Sequence, residues 1–260
     1  MLRSTEEFRG MHIGTHDDEI GKVDQFLFDD EHWTIRYMVV NTGNWLLKDL
    51  VLISPQSIRS VDWDDRRIDV NLSRRQVEES PDIAADRPVS RQMENQLARH
   101  YGYEPYWYGP SLWGASSFPY YGGGIAGYAS LDTAATERGQ RPSPVEEGDE
   151  RLRSTKEVSG YHIGASDGEI GHVADFLMDD EIWAIRYMVI DTRNWWPGKR
   201  VVISPEWVGE VKWADRMVDV DLTRAMINDS PEYDPNALSR DYEQQLYRHY
   251  QRRGYWEERG

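Results

Sequence analysis

The sequence predicts a mainly β protein, two small antiparallel barrels in tandem with a short α-helix after each, and three observations predict it. The first is an internal repeat: Leu2-Arg3-Ser4-Thr5 returns as Leu152-Arg153-Ser154-Thr155. That register continues without a gap to Ser80-Pro81 and Ser230-Pro231. Roughly half of the aligned positions are identical, and self-similarity at a fixed offset is the signature of duplicated architecture. The second is that apolar residues arrive within each copy in short runs separated by turn residues, with no long helical period between them, which favours a small sheet closed into a barrel. The third is length, since 260 residues suffice for two modest cores.

Each copy opens on Ser-x-x-Glu, at Ser4 to Glu7 and Ser154 to Glu157. There the serine can accept from free amides of a first turn and the glutamate can reach back. Gly10 and Gly160 end that turn. The run Glu19 to Phe28, and its counterpart Glu169 to Met178, is apolar but interrupted by glycine, as a bulged or bent strand is. A polar corner at Asp29-Asp30-Glu31 leads into the next strand. Trp33, Ile35, Tyr37 and Val39 are expected to share one face of it, and Trp183, Ile185, Tyr187 and Val189 repeat the pattern. Val51 to Ile53 and Val201 to Ile203 are continuous apolar runs closed by Ser-Pro, consistent with short strands buried on both sides. Val61 to Leu72 alternates around a polar corner at Asp64-Asp65-Arg66 and reads as a hairpin. Each copy thus offers five or so strands, and Ser73 or Thr223 can cap a brief helical turn after them.

Beyond each barrel a helical period appears. Met93, Leu97 and Tyr101 stand at i, i+4 and i+8, as do Tyr242, Leu246 and Tyr250. The segment from Glu104 to Glu150 then changes character, aromatic with glycine and proline at first and charged afterwards. It reads as a linker whose flexible span is on the order of 35 to 40 Å. It leaves the two barrels free to pair in any orientation. Its start matches the chain's own tail, since Arg99-His100-Tyr101 followed by Tyr106-Trp107 parallels Arg248-His249-Tyr250 followed by Tyr255-Trp256. The expected divisions are barrel 1–87, helix 88–103, linker 104–150, barrel 151–236 and a C-terminal helix and tail 237–260.

A net charge of −16 repels nucleic acid and anionic membrane and suits a basic protein partner. The absence of cysteine excludes disulfides, thiolate metal sites and cysteine nucleophiles. Met1 to Gly10 lacks an apolar h-region, and no apolar run approaches the ~18 residues of a membrane span. No integral membrane segment and no nucleic-acid partner are expected, and the location is read as cytoplasmic.

Three strings together resemble the PRC-barrel family: Asp-Gly-Glu-Ile-Gly-x-Val-x-Asp-Phe-Leu at Asp167 to Leu177, Trp-x-Ile-Arg-Tyr-Met-Val at Trp183 to Val189, and Val-x-Ile-Ser-Pro at Val201 to Pro205. That family is named for the cytoplasmic part of the photosynthetic reaction centre H subunit, and a related barrel ends the ribosome maturation factor. The resemblance covers residues 1 to about 87 and 151 to about 236. It implies barrels that dock onto protein partners, through homodimerisation or intramolecular pairing, in the manner of stand-alone bacterial members sometimes linked to stress. In the reaction centre, the barrel's carboxylates and histidines assist proton entry, which gives an alternative role in photosynthetic electron transfer.

Candidate chemistry is sparse. Asp17-Asp18-Glu19 and Asp29-Asp30-Glu31 offer oxygen ligands for a hard cation, but they lack the spacing of a calcium loop, and turns favour Asp without any ligand. His12 and His162 recur at one position of the repeat and His100 and His249 at another. Histidine can relay protons near neutrality, yet neither pair has metal-binding spacing within a copy. Ser54 and Ser204 sit at strand ends as turn residues, and Gly122-Gly123-Gly124 lacks the lysine of a phosphate loop. The aromatic stretch Tyr101 to Tyr121 is open to three readings: packing on the neighbouring barrel, a partner contact, or a plain linker. No catalytic, cofactor-binding or metal residue is assigned and no cofactor is implied. The expectation is a non-enzymatic interaction module. A metal- or small-molecule-dependent enzyme using His12, His162 and nearby carboxylates is the remaining alternative.

Overall fold

The structure, a computed structural model, describes residues 1–43, 49–82, 89–119, 151–193 and 198–257. Most of the expected linker, residues 120–150, and the expected end of the first barrel at 87 lie outside the described residues. The first copy runs β1 (Leu2–Ser4), α1 (Thr5–Phe8), β2 (His12–Gly14), β3 (Glu19–Asp29), β4 (Thr34–Asn41), β5 (Leu50–Ile53), a 3₁₀ turn at Pro55–Ser57, β6 (Ile58–Asp62), β7 (Arg67–Val70), α2 (Arg74–Glu78) and α3 (Arg91–Tyr101). The second repeats it as β8 (Leu152–Ser154), α4 (Thr155–Val158), β9 (His162–Ala165), β10 (Gly168–Asp179), β11 (Ile185–Asp191), β12 (Arg200–Ile203), a 3₁₀ turn at Pro205–Trp207, β13 (Val208–Lys212), β14 (Met217–Val220), α5 (Arg224–Asn228), a 3₁₀ turn at Pro235–Ala237 and α6 (Arg240–His249).

The expected caps at Ser4, Ser73 and Thr223 form. The amide of Ser4 donates to Glu7 Oε1 at 3.0 Å and the amide of Glu6 to Ser4 Oγ at 3.1 Å. Ser73 makes a full capping box with Gln76 at the start of α2, and Thr223 caps α5. Each supplies an acceptor to an amide that the first helical turn leaves free. Ser54 does the same for the 3₁₀ turn that follows β5.

The chain forms two compact units that do not coincide with the two copies of the repeat. One, the first-copy unit, comprises Phe8–Ser154 with Glu181–Ala184; the other, the second-copy unit, comprises Met1–Glu7, Thr155–Asp180 and Ile185–Gly260. In the first-copy unit the strand order is β5-β4-β3-β2-β7-β6, and β8 joins β3. In the second-copy unit it is β12-β11-β10-β9-β14-β13, and β1 joins β10. β4 pairs along most of one edge of β3, while the other edge is shared by β2 and then β8, with Leu27 opposite Ser154 and Asp29 opposite Leu152. The second-copy unit repeats this register, Leu177 opposite Ser4 and Asp179 opposite Leu2. Each sheet therefore takes one strand from the opening of the other copy.

Four expectations are corrected. Each sheet has seven strands rather than five or so, because three-residue strands at the start of a copy carry no readable alternation. The sheets are not purely antiparallel: β2 runs parallel to β7, and β9 to β14. Hydrogen bonding does not close either sheet into a barrel among the described residues, since the ladder ends at β5 and β6 in one and at β12 and β13 in the other. In each case those end strands are consecutive in the chain and joined by the Ser-Pro 3₁₀ turn. Finally, Trp33 and Trp183 do not share a strand face with the residues after them. Both adopt left-handed backbone, φ +52° and +61°, which takes each tryptophan out of the pleat before β4 and β11 begin.

The core of the first-copy unit centres on β4, buried from Thr34 to Val40 on both faces. Phe8 meets Phe26 edge-on at 5.8 Å and Trp63 at 4.9 Å, and Trp183 adds its ring at 5.6 Å from Phe8. The interrupting glycine of each long strand is explained by the backbone beside it. A Cβ on Gly21 lies 2.1 Å from the carbonyl oxygen of Asn41, and one on Gly171 lies 2.3 Å from that of Asp191.

Candidate functional site

Arg36 gathers the main group of buried charges in the first-copy unit. It occupies the middle of β4 with 2% of its surface exposed. A buried guanidinium needs a counter-charge and hydrogen-bond acceptors to offset its desolvation. Here Nε donates to Asp29 Oδ2 at 2.8 Å, and Nη1 donates to the carbonyl oxygen of Leu112 at 2.5 Å. The guanidinium carbon stands 3.7 Å from the centre of the Tyr106 ring and 4.9 Å from that of Trp113, so two aromatic faces complete its cage.

A second layer comes from α3. Glu94, 1% exposed, faces Arg91 at 3.1 Å. It accepts from the Tyr106 hydroxyl at 3.0 Å, and Arg91 Nη1 donates to that same hydroxyl at 3.0 Å. Arg91 also lies 4.0 Å over the Trp107 ring. Two cations thus balance two carboxylates in one desolvated cluster. Burial raises the Glu94 carboxyl from its ordinary 4.5 to about 7, although Arg91, the Tyr106 hydroxyl and Arg36 pull the other way. Burial likewise raises the Tyr106 and Tyr37 phenols.

The residues over Arg36 belong to the aromatic stretch that the sequence left open between three readings. Up to Pro119 it packs on its own unit. Ser111, Trp113 and Gly114 donate their amides to Gly114, Ser116 and Ser111, making a tight strap. The Trp113 indole is buried, and its Nε1 donates to the Ile182 carbonyl at 2.8 Å.

The second-copy unit repeats the cluster in a more open form. Glu243 accepts from the hydroxyls of Tyr187 at 2.8 Å and Tyr255 at 2.9 Å and pairs with Arg240 at 2.9 Å. Arg240 lies 4.4 Å over Trp256, and Arg186 lies 4.0 Å over Tyr255. The Arg186 side chain, however, is 17% exposed against 1% for Arg36, and its carboxylate partner Asp179 stands 3.9 Å away instead of 2.8 Å. Its Nε is buried without a hydrogen-bond partner among the described residues.

The sequence-level candidates serve local structure. His12 and His162 bond Glu19 and Glu169 across adjacent strands, each at 2.6 Å. His100 and His249 reach the carbonyls of Gln76 and Met226 at 2.6 and 2.7 Å, tying α3 to α2 and α6 to α5. Asp17 and Asp167 accept the amides of Arg74 and Arg224 at the first turns of α2 and α5, and Asp18 pairs with the Arg74 side chain. In the other carboxylate group Asp29 faces Arg36, Asp30 faces Arg153 at 3.3 Å and Glu31 faces Arg151 at 2.9 Å. Among the described residues no three histidine or acidic side chains are grouped as ligands for one metal ion, and no helix is long and apolar enough to cross a membrane.

Sequence reasoning passed over the Arg36 and Arg186 clusters. A signal was present: Asp29, Arg36, Arg91, Glu94, Tyr106 and Trp107 recur as Asp179, Arg186, Arg240, Glu243, Tyr255 and Trp256. An arginine inside an otherwise apolar strand, retained in both copies, has to find a buried counter-charge. Compared with known proteins, the chain matches no family model and no curated protein.

Proposed function

We propose that this protein is a non-enzymatic interaction module built from two duplicated PRC-type domains, acting as a soluble cytoplasmic protein and presenting an acidic surface to a basic protein partner. The observation that carries this reading is the exchange of opening strands, β8 completing β3 and β1 completing β10. It makes the sheet of each unit depend on the opening strand of the other copy. His12, His162, His100, His249 and the turn carboxylates are engaged in capping, strand pairing and helix docking, and the two arginine clusters link the helix after each copy to its sheet. These are the needs of a rigid surface.

The test is affinity capture from the native cell extract at low and high salt, with the solution mass measured by light scattering. One enriched basic partner, released as salt screens the acidic surface, supports the module. Recovery of no enriched protein at low salt rejects it.

A further inference from the structure

The two arginine clusters are chemically the same and differently covered. Over Arg36 lies the strap, which supplies the Leu112 carbonyl and the Trp113 ring. Among the described residues of the second-copy unit none places such a carbonyl on Arg186, and none of the described residues is a hydrogen-bond partner for its Nε; the side chain is 17% exposed.

We propose that the Arg186 site of the second-copy unit is a peptide-binding site, and that its ligand is a tightly turned, Trp-bearing loop of a partner protein with the chemistry of the Ser111-Leu112-Trp113-Gly114 strap. The proposal deepens the interaction-module reading and rests on it. Three arguments select this ligand. The chain's own strap, seated on the equivalent arginine, shows which groups the constellation accepts: one main-chain carbonyl on a guanidinium nitrogen and one indole beside its face. Charge selects against an anion, because Arg186 and Arg240 are balanced by Asp179 and Glu243, and a second carboxylate or a phosphate meets two acidic groups already in place. A neutral carbonyl meets no such repulsion. Finally, an unmade buried hydrogen bond is costly. A ligand that draws Arg186 into the Arg36 arrangement, with Nε on its aspartate, recovers it.

The added ligand does not compete for Arg36. The strap follows α3 by a few residues, and a short tether gives an effective concentration on the order of millimolar. A peptide supplied at micromolar concentration therefore finds one site per chain.

The experiment uses the full chain and a fluorescein-labelled peptide of residues 108–119, read by anisotropy. Saturable binding at one peptide per chain is expected, weakened at least tenfold by Arg186→Ala in the protein and at least tenfold by Trp113→Ala in the peptide. The peptide substitution leaves the protein untouched, so it decides the matter even where Arg186→Ala lowers the folded fraction. Absence of binding, or binding indifferent to the peptide's tryptophan, overturns the site. If affinity capture still recovers a partner in that case, only the site fails; if it recovers none, the module reading falls with it.

Discussion

Thr5 Oγ1 donates a 2.6 Å hydrogen bond to Asp175 Oδ1, a residue 170 positions along the chain. Ser4 Oγ donates to the other oxygen of the same carboxylate. Asp175 is thus the latch that holds β1 against β10, and Gln25 plays the corresponding part for Ser154 of β8.

Asp175→Ala leaves the buried hydroxyls of Ser4 and Thr5 without this acceptor. The second-copy unit is expected to lose about 2 kcal/mol, the scale of a buried polar group left unpaired. Hydrogen exchange should quicken in the Leu2–Ser4 ladder while the Leu152–Ser154 ladder keeps its protection. Equal loosening of both ladders counts against separate latches.

Glu94 is expected to give stability a pH slope. Its folded value of about 7 lies above its ordinary 4.5, so the native state holds the extra proton between these values. Its contribution is most favourable below about pH 4.5 and is lost as pH rises towards 7. The groups facing it are Arg91, Arg36, Asp29 and the phenols of Tyr106 and Tyr37. Urea unfolding of wild type and Glu94→Gln across this range should show the variant gaining about 3 kcal/mol relative to wild type. A constant difference across the range removes Glu94 as the source. Asp191 acts in the opposite sense: Arg193 draws its carboxyl down to about 2, so its contribution is present above its ordinary 3.8 and lost as pH falls below it.

Trp113→Ala should free the strap and leave the sheet folded. The amides of Ser111, Trp113 and Gly114 are expected to lose exchange protection, and protease should cut within 108–119, while β3 and β4 stay protected. The indole's burial sets an upper limit of about 3–5 kcal/mol on the cost. Detachment of the strap alone costs less.

Two glycines with positive φ separate conformational cost from steric cost. Gly10 has φ +76° and open space where a Cβ would stand, so Gly10→Ala should cost about 1 kcal/mol. Gly21→Ala forces its methyl onto the Asn41 carbonyl and should cost about 3 kcal/mol or more. Thermal melts of both variants decide the comparison, and similar losses contradict it.

His100→Ala and His249→Ala should each remove about 1 kcal/mol by breaking the bond that ties neighbouring helices. His12→Gln and His162→Gln, at partly exposed cross-strand pairs, should stay within about 0.5 kcal/mol. Chemical denaturation of the four variants reads this directly. A large loss at His12 alone points to a role beyond pairing.

Much of this architecture was legible wherever a local rule operates. The Ser4, Ser73 and Thr223 caps, the Gly21 and Gly171 interruptions and the helix after each copy follow from chemistry within a few residues. The strand exchange was not legible, because Leu2-Arg3-Ser4 and Leu152-Arg153-Ser154 are identical and either can pair with either long strand. Nor did spacing separate a tryptophan in a pleat from one in a left-handed turn, as at Trp33 and Trp183. The arginine clusters were half visible: Arg36 and Arg186 stood within the strand motif, but their partners Glu94 and Glu243 arrive from a helix more than 50 positions later, a distance that no periodicity spans.

The crossed placement of β1 and β8 also means that a cut between the copies does not yield two self-sufficient proteins. Each fragment carries away a strand that belongs in the other's sheet, so the halves are expected to complement one another on mixing. A single copy expressed alone can complete its sheet by exchange with a twin, and duplication within one chain makes that exchange independent of concentration.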